Sequence, residues 1–330
     1  MREPLRRLRV PATGRPLEPD LGNTSGGKAL STEQFFSRLR WGGFLFVASS
    51  VSAAPLRLEY TKQEVVVRYL DEIRKKKPLI HHITNYVVAN ETANLTLCLG
   101  ALPVMAHAID EVEEMVEHAQ ALVLNIGTLD RSQIEAMLAA GSRANERGVP
   151  VVLDPVGAGA TQLRTDAARE ITKHVRLAAI RGNAAEVSIL AGYRADIAGV
   201  EALGAAENIE RVIKELALKL DCVVCATGPI DHVSDGRRVA RVANGHPMLA
   251  TVTGTGCMAT TVVASHIAVA DDRFDAAVHA LAAFGIAGEH AAAEADRKPG
   301  TFHQELYNAV FSLTDEDVDS EKRVEVLREE

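Results

Sequence analysis

The sequence predicts an α/β fold: a doubly wound, mostly parallel central sheet flanked by helices, with an antiparallel hairpin at one edge. Short, almost continuous apolar runs that end in Gly or Asp are typical of strands buried on both faces of a parallel sheet. The chain has four such runs: ALVLNIG, PVVLDPVG, RLAAIRG and DCVVCATG. Helical segments separate them, and this alternation implies right-handed βαβ crossovers. The pair Asp235-Gly236 lies between β-rich flanks and predicts the hairpin.

The predicted elements begin at Glu59 and follow one another with short connections. Before the four runs, the pattern predicts a helix in EYTKQEVVVRYLDEIRKKK, a strand in PLIHHIT, a helix in TANLTLCLG that stops at Gly100, a strand in PVMA and a helix in DEVEEMVEHA. Later helices are predicted at 130–147, 161–175, 184–190 and 201–220. After Thr255 the pattern predicts only helices, in VVASHIAVA, AAVHALAAFGIAGEHAAAEA and FHQELYNAVFSL.

Residues 1–55 differ in composition from the rest of the chain. Residues 1–28 mix arginines with Pro and Gly and show no periodicity, so we expect an N-terminal extension with little order. The stretch GGFLFVASSVSAAP resembles a secretory core, but it begins too far from the N-terminus for a signal peptide. A transit peptide or an over-extended start is the alternative. Residues 56–330 are predicted to form one domain.

Charge and composition argue against several classes of partner. A net charge of −8 lacks the basic surface that phosphate backbones require, so we expect no nucleic-acid partner. No apolar run approaches the roughly 20 residues of a membrane span, so we expect no membrane partner. Four cysteines do not make a disulfide framework in a chain of this length. The sequence therefore predicts a cytoplasmic protein.

Polar residues follow the predicted strands at their carboxyl ends, where open α/β sheets bind ligands. We expect the site among them because scattered core residues would not fall so regularly past strand ends. They are Thr84, Asn85, Asn125, Gly127, Asp154, Arg181 to Glu186, Thr227, Gly228 and Gly254 to Cys257.

The stretch VTGTGCMATT joins a polar loop to a helix-like run, and its small residues suit an anion at a helix N-terminus. Its cysteine, Cys257, is a nucleophile, a metal ligand, a proton acceptor or an apolar filler. A helix N-terminus is expected to lower the thiol pKa enough to give some thiolate at neutral pH. We favour the proton acceptor because the strand-end geometry places Cys257 beside the expected anion site. The stretch also fits a relaxed dinucleotide fingerprint, but it follows at least five predicted strands instead of opening the domain.

Two further motifs supply charge beside this loop. LDPVGAGAT contains Asp154, and RGNAAE contains Arg181, Asn183 and Glu186. Asp154 and Glu186 together suit Mg²⁺ and its waters, and Arg181 suits a phosphate. The alternative for RGNAAE is a plain helix start, with Asn183 as N-cap and Glu186 completing a capping box.

Seven stretches occur in a characteristic order along the chain: HHITNYVVANETAN, GALPVMAHA, ALVLNIGTL, VVLDPVGAG, IRGNAAE, ATGPID and TGTGC. In this order they resemble the hydroxyethylthiazole kinases of the ribokinase-like superfamily. The resemblance runs from about Pro78 to about Leu313. It implies a ribokinase-like fold and phosphorylation of 4-methyl-5-(2-hydroxyethyl)thiazole by ATP with Mg²⁺, in thiamine biosynthesis and salvage. It further implies a homotrimer with active sites at subunit interfaces.

The resemblance also implies roles for individual residues. Met105, Asn85 and Gly254 resemble the substrate-binding residues, whereas Arg181, Thr227 and Asn183 resemble the ATP-binding ones. Cys257, Gly254 and Gly256 resemble the catalytic loop, and Asp154 and Glu186 the residues that organise magnesium through water or phosphate. Leu102 stands where the family pattern leads us to expect Ser, which changes the pocket wall near Met105. The alternatives are another small-alcohol kinase or an ATP-dependent dehydratase on the same scaffold, or a non-catalytic binder of the thiazole or a nucleotide.

Overall fold

A computed structural model of the protein describes residues 68–193 and 205–328. The predicted extension over residues 1–55, the first part of the helix predicted from Glu59 and the start of the helix predicted from Glu201 lie outside these residues. The described strands are β1 (Leu79–Ile83), β2 (Leu102–Val104), β3 (Ala121–Asn125), β4 (Val151–Asp154), β5 (Ala179–Asn183), β6 (Val223–Thr227), β7 (Asp231–Ser234), β8 (Arg238–Val242) and β9 (Val324–Arg328).

The helices connect these strands or follow them in the chain. They are α1 (Tyr69–Lys76), α2 (Ala89–Leu99), α3 (Val112–His118), α4 (Arg131–Arg147), α5 (Gln162–His174), α6 (Ala184–Ala191), α7 (Ala205–Leu220), α8 (Thr255–Ile267), α9 (Arg273–Glu294), α10 (Pro299–Ser312) and α11 (Asp315–Glu321). The end of α2 is explained by its own sequence. Gly100 ends α2 in the left-handed conformation, with φ +92°, as predicted.

All nine strands belong to one sheet, in the order β2-β1-β3-β4-β5-β6-β7-β8-β9. The strands β1 to β6 are parallel, and β7, β8 and β9 are antiparallel to their neighbours. The hairpin β7–β8 turns at Asp235-Gly236, where Gly236 has a φ of +90°. The predicted fold class, a mostly parallel sheet with an antiparallel edge, is therefore confirmed.

The C-terminus corrects one prediction, because the chain does not remain helical after Thr255. After α11, the segment Val324–Arg328 forms β9 and pairs antiparallel with β8. The run VEVLR is only five residues long and is flanked by charged residues, so its sequence alone does not indicate a strand. The strand forms because it finds hydrogen-bonding partners on β8, which is far away in the sequence.

The core lies in two layers on opposite faces of the sheet. Alternate side chains of β3 divide between them: Ala121 and Val123 pack with α1, α2 and α8 to α10, whereas Leu122 and Leu124 pack with α3 to α7. The sequence motif CVVC obeys the same rule, since Cys222 and Cys225 are buried in different layers. Both thiols pack in the core: Cys222 directly precedes β6, and Cys225 lies within it.

Candidate active site

The carboxyl ends of β1 and of β3 to β6 converge on the N-terminus of α8 and form two adjoining cavities. The smaller cavity has a volume of about 370 Å³ and the larger about 750 Å³. They share a wall made of Arg181, Asn183 and Gly256. This is the edge of the sheet at which the strand-end pattern predicts the site.

Most of the predicted site residues meet in these cavities. Eight line the smaller one: Asn85, Asp154, Arg181, Asn183, Glu186, Gly254, Gly256 and Cys257. Thr227 lines the larger one together with Asp231 and Phe284. Met105 lines neither cavity. It follows β2 on a neighbouring loop, where His107 hydrogen-bonds both the Met105 carbonyl and Thr84.

Gly254 sets the geometry at the start of α8. It has a φ of +89°, and a Cβ atom there would lie 2.6 Å from Cγ1 of Val88, so a side chain is excluded both by backbone strain and by contact. Gly254 is also the N-cap residue of α8 and has no side chain with which to cap the helix. The first amides of an α-helix have no intrahelical partner, and Gly254, Gly256 and Cys257 at the start of α8 line the smaller cavity.

Arg181 lies between the two cavities. Its Nη2 donates a hydrogen bond to the hydroxyl of Thr227. Its Nε is buried and has no hydrogen-bond partner within the described part of the chain. A Cβ atom on Gly256 would lie 2.8 Å from Nη1 of Arg181. The guanidinium therefore occupies the space that the missing side chain of Gly256 leaves.

Asn183 and Glu186 form the capping box that the sequence suggested. Oδ1 of Asn183 accepts from the Glu186 amide at 2.9 Å, and Oε2 of Glu186 accepts from the Asn183 amide at 2.8 Å. The other oxygen of Glu186 accepts from the Gly157 amide at 2.7 Å. Because both side chains also line the smaller cavity, the structural role does not remove them from the site.

Asp154 is fully buried at the end of β4. Its Oδ2 accepts hydrogen bonds from Nδ2 of Asn125 at 2.8 Å and from the hydroxyl of Thr260 at 2.9 Å. Its Oδ1 is buried and has no hydrogen-bond partner among residues 68–193 and 205–328. Burial raises the pKa of this carboxyl to about 6, and Arg181 limits the rise.

The environment of Cys257 corrects the expectation of a partly ionised thiol. Its Sγ accepts hydrogen bonds from Nδ2 of Asn125 at 3.1 Å and from Nδ2 of Asn85 at 3.7 Å. Burial nevertheless raises the pKa of the thiol to about 12, and the Asp154 carboxylate adds to the rise. The amides of Asn125 and Asn85 and the Arg181 guanidinium act in the opposite direction without reversing it. At neutral pH the thiol is protonated.

Sequence reasoning gave no role to two residues that touch this site. Asn125 was only one of several polar residues after a strand, and Thr260 lies within the helical run of α8. One signal in the sequence would have identified Thr260: it lies three residues after Cys257, and residues three apart share a helix face. Gly127 belongs with them, since a Cβ atom there would lie 2.5 Å from Nδ2 of Asn85.

Carboxylates are the part of this site that suits a divalent cation. The unpartnered Oδ1 of Asp154 fits a hydrated Mg²⁺, because Mg²⁺ is usually bound through one or two carboxylates, waters and phosphate oxygens. Both oxygens of Glu186 already accept backbone N–H groups, so its remaining lone pairs suit a water on the ion. No three His, Cys, Asp or Glu side chains of the described residues cluster as metal ligands, so the chain itself offers no complete cage.

Comparison with known proteins identifies relatives of the whole described domain. A model of the hydroxyethylthiazole kinase family matches residues 70–316. The hydroxyethylthiazole kinase of Thermoanaerobacter sp. (strain X514) is 53% identical over 255 residues, which are 77% of this chain and 97% of that protein. That of Methanocella arvoryzae (strain DSM 22066 / NBRC 105507 / MRE50) is 48% identical over 249 residues, 76% of this chain and 93% of that protein.

A solved structure gives the same result. The structure of hydroxyethylthiazole kinase from Pyrococcus horikoshii OT3 superposes with a TM-score of 0.72 at 43% sequence identity. It covers 78% of this chain and 97% of that chain. A matching family model over most of the chain and relatives of this identity leave one conclusion: this chain belongs to the hydroxyethylthiazole kinase family.

Proposed function

We propose that this protein transfers the γ-phosphoryl group of ATP to the hydroxyl of 4-methyl-5-(2-hydroxyethyl)thiazole, in thiamine biosynthesis and salvage. The observation that carries the proposal is the pair of cavities that meet at Arg181 and Gly256. The larger is of a size that suits a nucleotide, and the smaller contains an amide, a thiol and a helix N-terminus. The names of the relatives supply the substrate.

ATP is assigned to the larger cavity, with its phosphates directed to the shared wall. Arg181 and Asn183 belong to that wall, and Thr227 holds the Arg181 guanidinium. A guanidinium next to phosphate oxygens makes charge-assisted hydrogen bonds, and its unpartnered Nε is a further donor. These three residues therefore bind ATP and orient its terminal phosphate.

The N-terminus of α8 is assigned the transferring phosphoryl group. Gly254 and Gly256 let phosphate oxygens approach the backbone, and the unpartnered amides of the first turn donate to them. Phosphoryl transfer depends chiefly on positioning and on stabilising charge, so these amides and Arg181 contribute most of the rate enhancement.

Magnesium is assigned to the side of the smaller cavity that Asp154 and Glu186 line. When bound, Mg²⁺ neutralises charge on the phosphates. Asp154 holds the ion or its waters with Oδ1, and Glu186 orients a water. The expected readout is loss of turnover on chelation and its recovery when Mg²⁺ is added back.

The acceptor alcohol is assigned to the smaller cavity, beside Asn85 and Cys257. The assignment of Met105 to the thiazole ring depends on the trimer proposed below, because Met105 lines neither cavity of a single chain. Only the thiolate form of Cys257 receives the hydroxyl proton and becomes the thiol. Because the thiol is protonated at neutral pH, its contribution as a base is small, at or below about 10²-fold, the lower end of general-base effects. We expect Cys257→Ala to retain most of the rate enhancement in single-turnover kinetics. A full wild-type rate in this variant would remove the acceptor role altogether.

We propose a homotrimer with active sites at subunit interfaces. Four apolar side chains on neighbouring loops and strand β2 are strongly exposed: Tyr86 at 81%, Val87 at 57%, Ile109 at 50% and Leu102 at 45%. Exposed large apolar side chains are typical of an interface, and because Leu102 and Ile109 lie on either side of Met105 in the sequence, a subunit that covers them would lie beside Met105. Sedimentation velocity should give a trimer, and Ile109→Glu should shift it toward monomers and weaken thiazole binding.

A cytoplasmic location completes the proposal. Cys98, Cys222, Cys225 and Cys257 are all free, as a reducing compartment would keep them. Within the described parts of the chain, no helix is long and apolar enough to cross a membrane.

A coupled assay of ADP release tests the function directly. ADP should form only when ATP, Mg²⁺ and the thiazole alcohol are all present, and a panel of other small alcohols should be poorer acceptors. No turnover of the thiazole alcohol, with turnover of another alcohol, would assign the scaffold to a different kinase. Binding of both ligands without ADP release would make the protein a sensor.

A further inference from the structure

The side chain of Asn125 connects three parts of the candidate active site. It is 2% exposed at the end of β3 and lines neither cavity. Its Nδ2 donates to Oδ2 of Asp154 at 2.8 Å and to Sγ of Cys257 at 3.1 Å. Its Oδ1 accepts from Nδ2 of Asn85 at 2.7 Å and from the Gly127 amide at 2.9 Å. One buried amide thus uses all of its hydrogen-bonding groups on residues of the site.

The orientation of this amide is fixed by its neighbours. The backbone N–H of Gly127 only donates, so the atom facing it is the oxygen of Asn125. Asn85 is fixed in the same way, because its Oδ1 accepts from the Val87 amide at 3.1 Å and its Nδ2 therefore faces Asn125. The two amides form a chain of hydrogen bonds with one direction, which ends on the Asp154 carboxylate and the Cys257 sulfur.

The sheet holds this chain of bonds in place. Asn125 and Asp154 are directly paired in the parallel register of β3 and β4, two strands that are buried along their whole length. Cys257 approaches from α8, a separate element, and within the described residues its sulfur receives amide donors from Asn125 and Asn85. Asn125 is the closer of the two, so it sets where the sulfur lies relative to the rigid strands.

We propose that Asn125 is a positioning residue: it fixes the Cys257 thiol, the Asp154 carboxylate and the Asn85 amide relative to one another without contacting the substrate. Its kinetic consequence rests on the proposed function. Groups that must meet a reacting centre lose much of their effect when they move by about 1 Å, so the loss should fall on kcat. The ATP KM should hardly change, because Asn125 lies outside the larger cavity.

A double-mutant cycle tests whether Asn125 acts through Cys257. Asn125→Ala should lower kcat by about 10- to 100-fold, the range for losing hydrogen bonds to charged and polar partners, with the ATP KM within about twofold. In a Cys257→Ala background, the same substitution should cost at least about fivefold less. Thr260→Val is the matched control. It removes the other hydrogen bond to Oδ2 of Asp154 and makes no hydrogen bond to the thiol in the described part of the chain, so its cost should depend less on the background than that of Asn125→Ala.

An equal cost of Asn125→Ala in both backgrounds would overturn the proposal. Where Asn125→Ala does not fold, Asn125→Ser, which keeps a buried hydroxyl without the reach of the amide, takes its place in the cycle. If the unaltered chain does not phosphorylate the thiazole alcohol, the proposed function fails. The positioning role is then tested by measuring the free energy of urea unfolding for the single and double variants. The stability losses of Asn125→Ala and Cys257→Ala should be non-additive, and those of Asn125→Ala and Cys98→Ala additive; additivity in the first pair rejects the proposal.

Discussion

At the scale of single residues, two glycines of the site are required because a functional side chain lies against their backbone. The Arg181 guanidinium occupies the space beside Gly256, and the Asn85 amide occupies the space beside Gly127. Neither glycine has the positive φ that usually explains a glycine, and close approach is the cause in both cases. The glycines therefore place a cation and an amide where a Cβ atom would exclude them.

Gly256→Ala should disturb ATP binding through Arg181. A Cβ atom placed 2.8 Å from Nη1 must displace the guanidinium, so we expect the ATP KM to rise by about tenfold and kcat to fall. Steady-state kinetics measure both. Gly300→Ala is the control, since nothing lies within 4 Å of a Cβ atom there, and it should match the wild type. Unchanged ATP kinetics in Gly256→Ala would contradict the close contact.

Asp154→Asn should stabilise the ligand-free chain at high pH. Burial raises the pKa of Asp154 from 3.8 to about 6, so the folded state binds this proton more tightly than the unfolded state. The free energy of unfolding is unaffected by this ionisation below about pH 4, where the carboxyl is protonated in both states. It falls as the pH rises through 6, and at pH 8 the buried charge destabilises the folded state by about 3 kcal/mol. The variant should therefore melt higher than the wild type at pH 8, and the difference should shrink toward pH 4.

Asp235→Asn is a control whose melting temperature at pH 8 should change in the opposite direction. Burial raises the pKa of Asp235, but hydrogen bonds from the Arg238 and Arg237 amides and from the Arg238 guanidinium outweigh it and hold the pKa low. Its stabilisation is present above its unfolded pKa and is lost on acidification, so Asp235→Asn should lower the melting temperature at pH 8. If both variants shift melting in the same direction at pH 8, the buried charge of Asp154 is not the cause.

Some residues of the site could be predicted from the sequence and others could not. Asn85, Asp154, Arg181 and Cys257 follow strands or begin a helix, and local pattern is enough to place such residues at one edge of the sheet. The ionisation of Cys257 was predicted wrongly, because a helix N-terminus is visible in the sequence whereas burial beside Asp154 is not. Residues that act through contacts distant in sequence need the fold before a role becomes visible.

At the scale of elements, the C-terminal segment secures the first helix. The N-cap residue of α1, Arg68, makes no capping hydrogen bond with its side chain. Asp315, the first residue of α11, supplies the cap from a distance: its carboxylate accepts from the amides of Leu70 at 3.1 Å and Asp71 at 2.9 Å. Elements at the two ends of the described chain are therefore joined by one buried carboxylate.

Asp315→Ala should destabilise the protein by about 2 kcal/mol, because it leaves two amides of α1 without their partner. Asp315 is 2% exposed, so water does not readily replace the carboxylate. Glu316→Ala is the matched control: its side chain is 63% exposed and its ion pair with Arg68 is on the surface, so it should change stability by less than about 0.5 kcal/mol. Urea unfolding measures both, and equal losses would refute the distant cap.

The local sequence pattern predicted the buried strands of the sheet but not its last edge strand. Buried strands such as β3 and β4 are continuous apolar runs between turn residues, and they were predicted to within a few residues. Strand β9 was missed because five residues among charged neighbours form a strand only when β8 supplies hydrogen-bonding partners. Pairing between distant segments is a property of the sheet, which no local window contains.

At the scale of the whole molecule, the part of this chain that matches its relatives covers almost their full length. The family model ends at residue 316, and the Thermoanaerobacter enzyme is covered over 97% of its length by 255 residues of this chain. The boundary predicted near residue 55 stays a prediction. It implies that catalysis does not need the N-terminal extension.

A chain that starts at Ala54 should therefore retain kcat/KM for the thiazole alcohol within about twofold and melt at the temperature of the full chain. A chain that starts at Pro78 is the control, because it lacks α1 and with it the buried Tyr69, Leu70 and Ile73. Losing that much apolar burial should destabilise the domain by several kcal/mol. Loss of activity in the chain that starts at Ala54 would give the extension a role in catalysis.

The wall that the two cavities share has a consequence for how the substrates bind. Arg181, Asn183 and Gly256 face both cavities, so a ligand that shifts this wall on one side changes it on the other. Reciprocity then follows from thermodynamics: if ATP raises the affinity for the alcohol by some factor, the alcohol raises the affinity for ATP by the same factor. With ATP and the alcohol in the two cavities as proposed, a substitution in this wall is expected to change the affinity for both ligands.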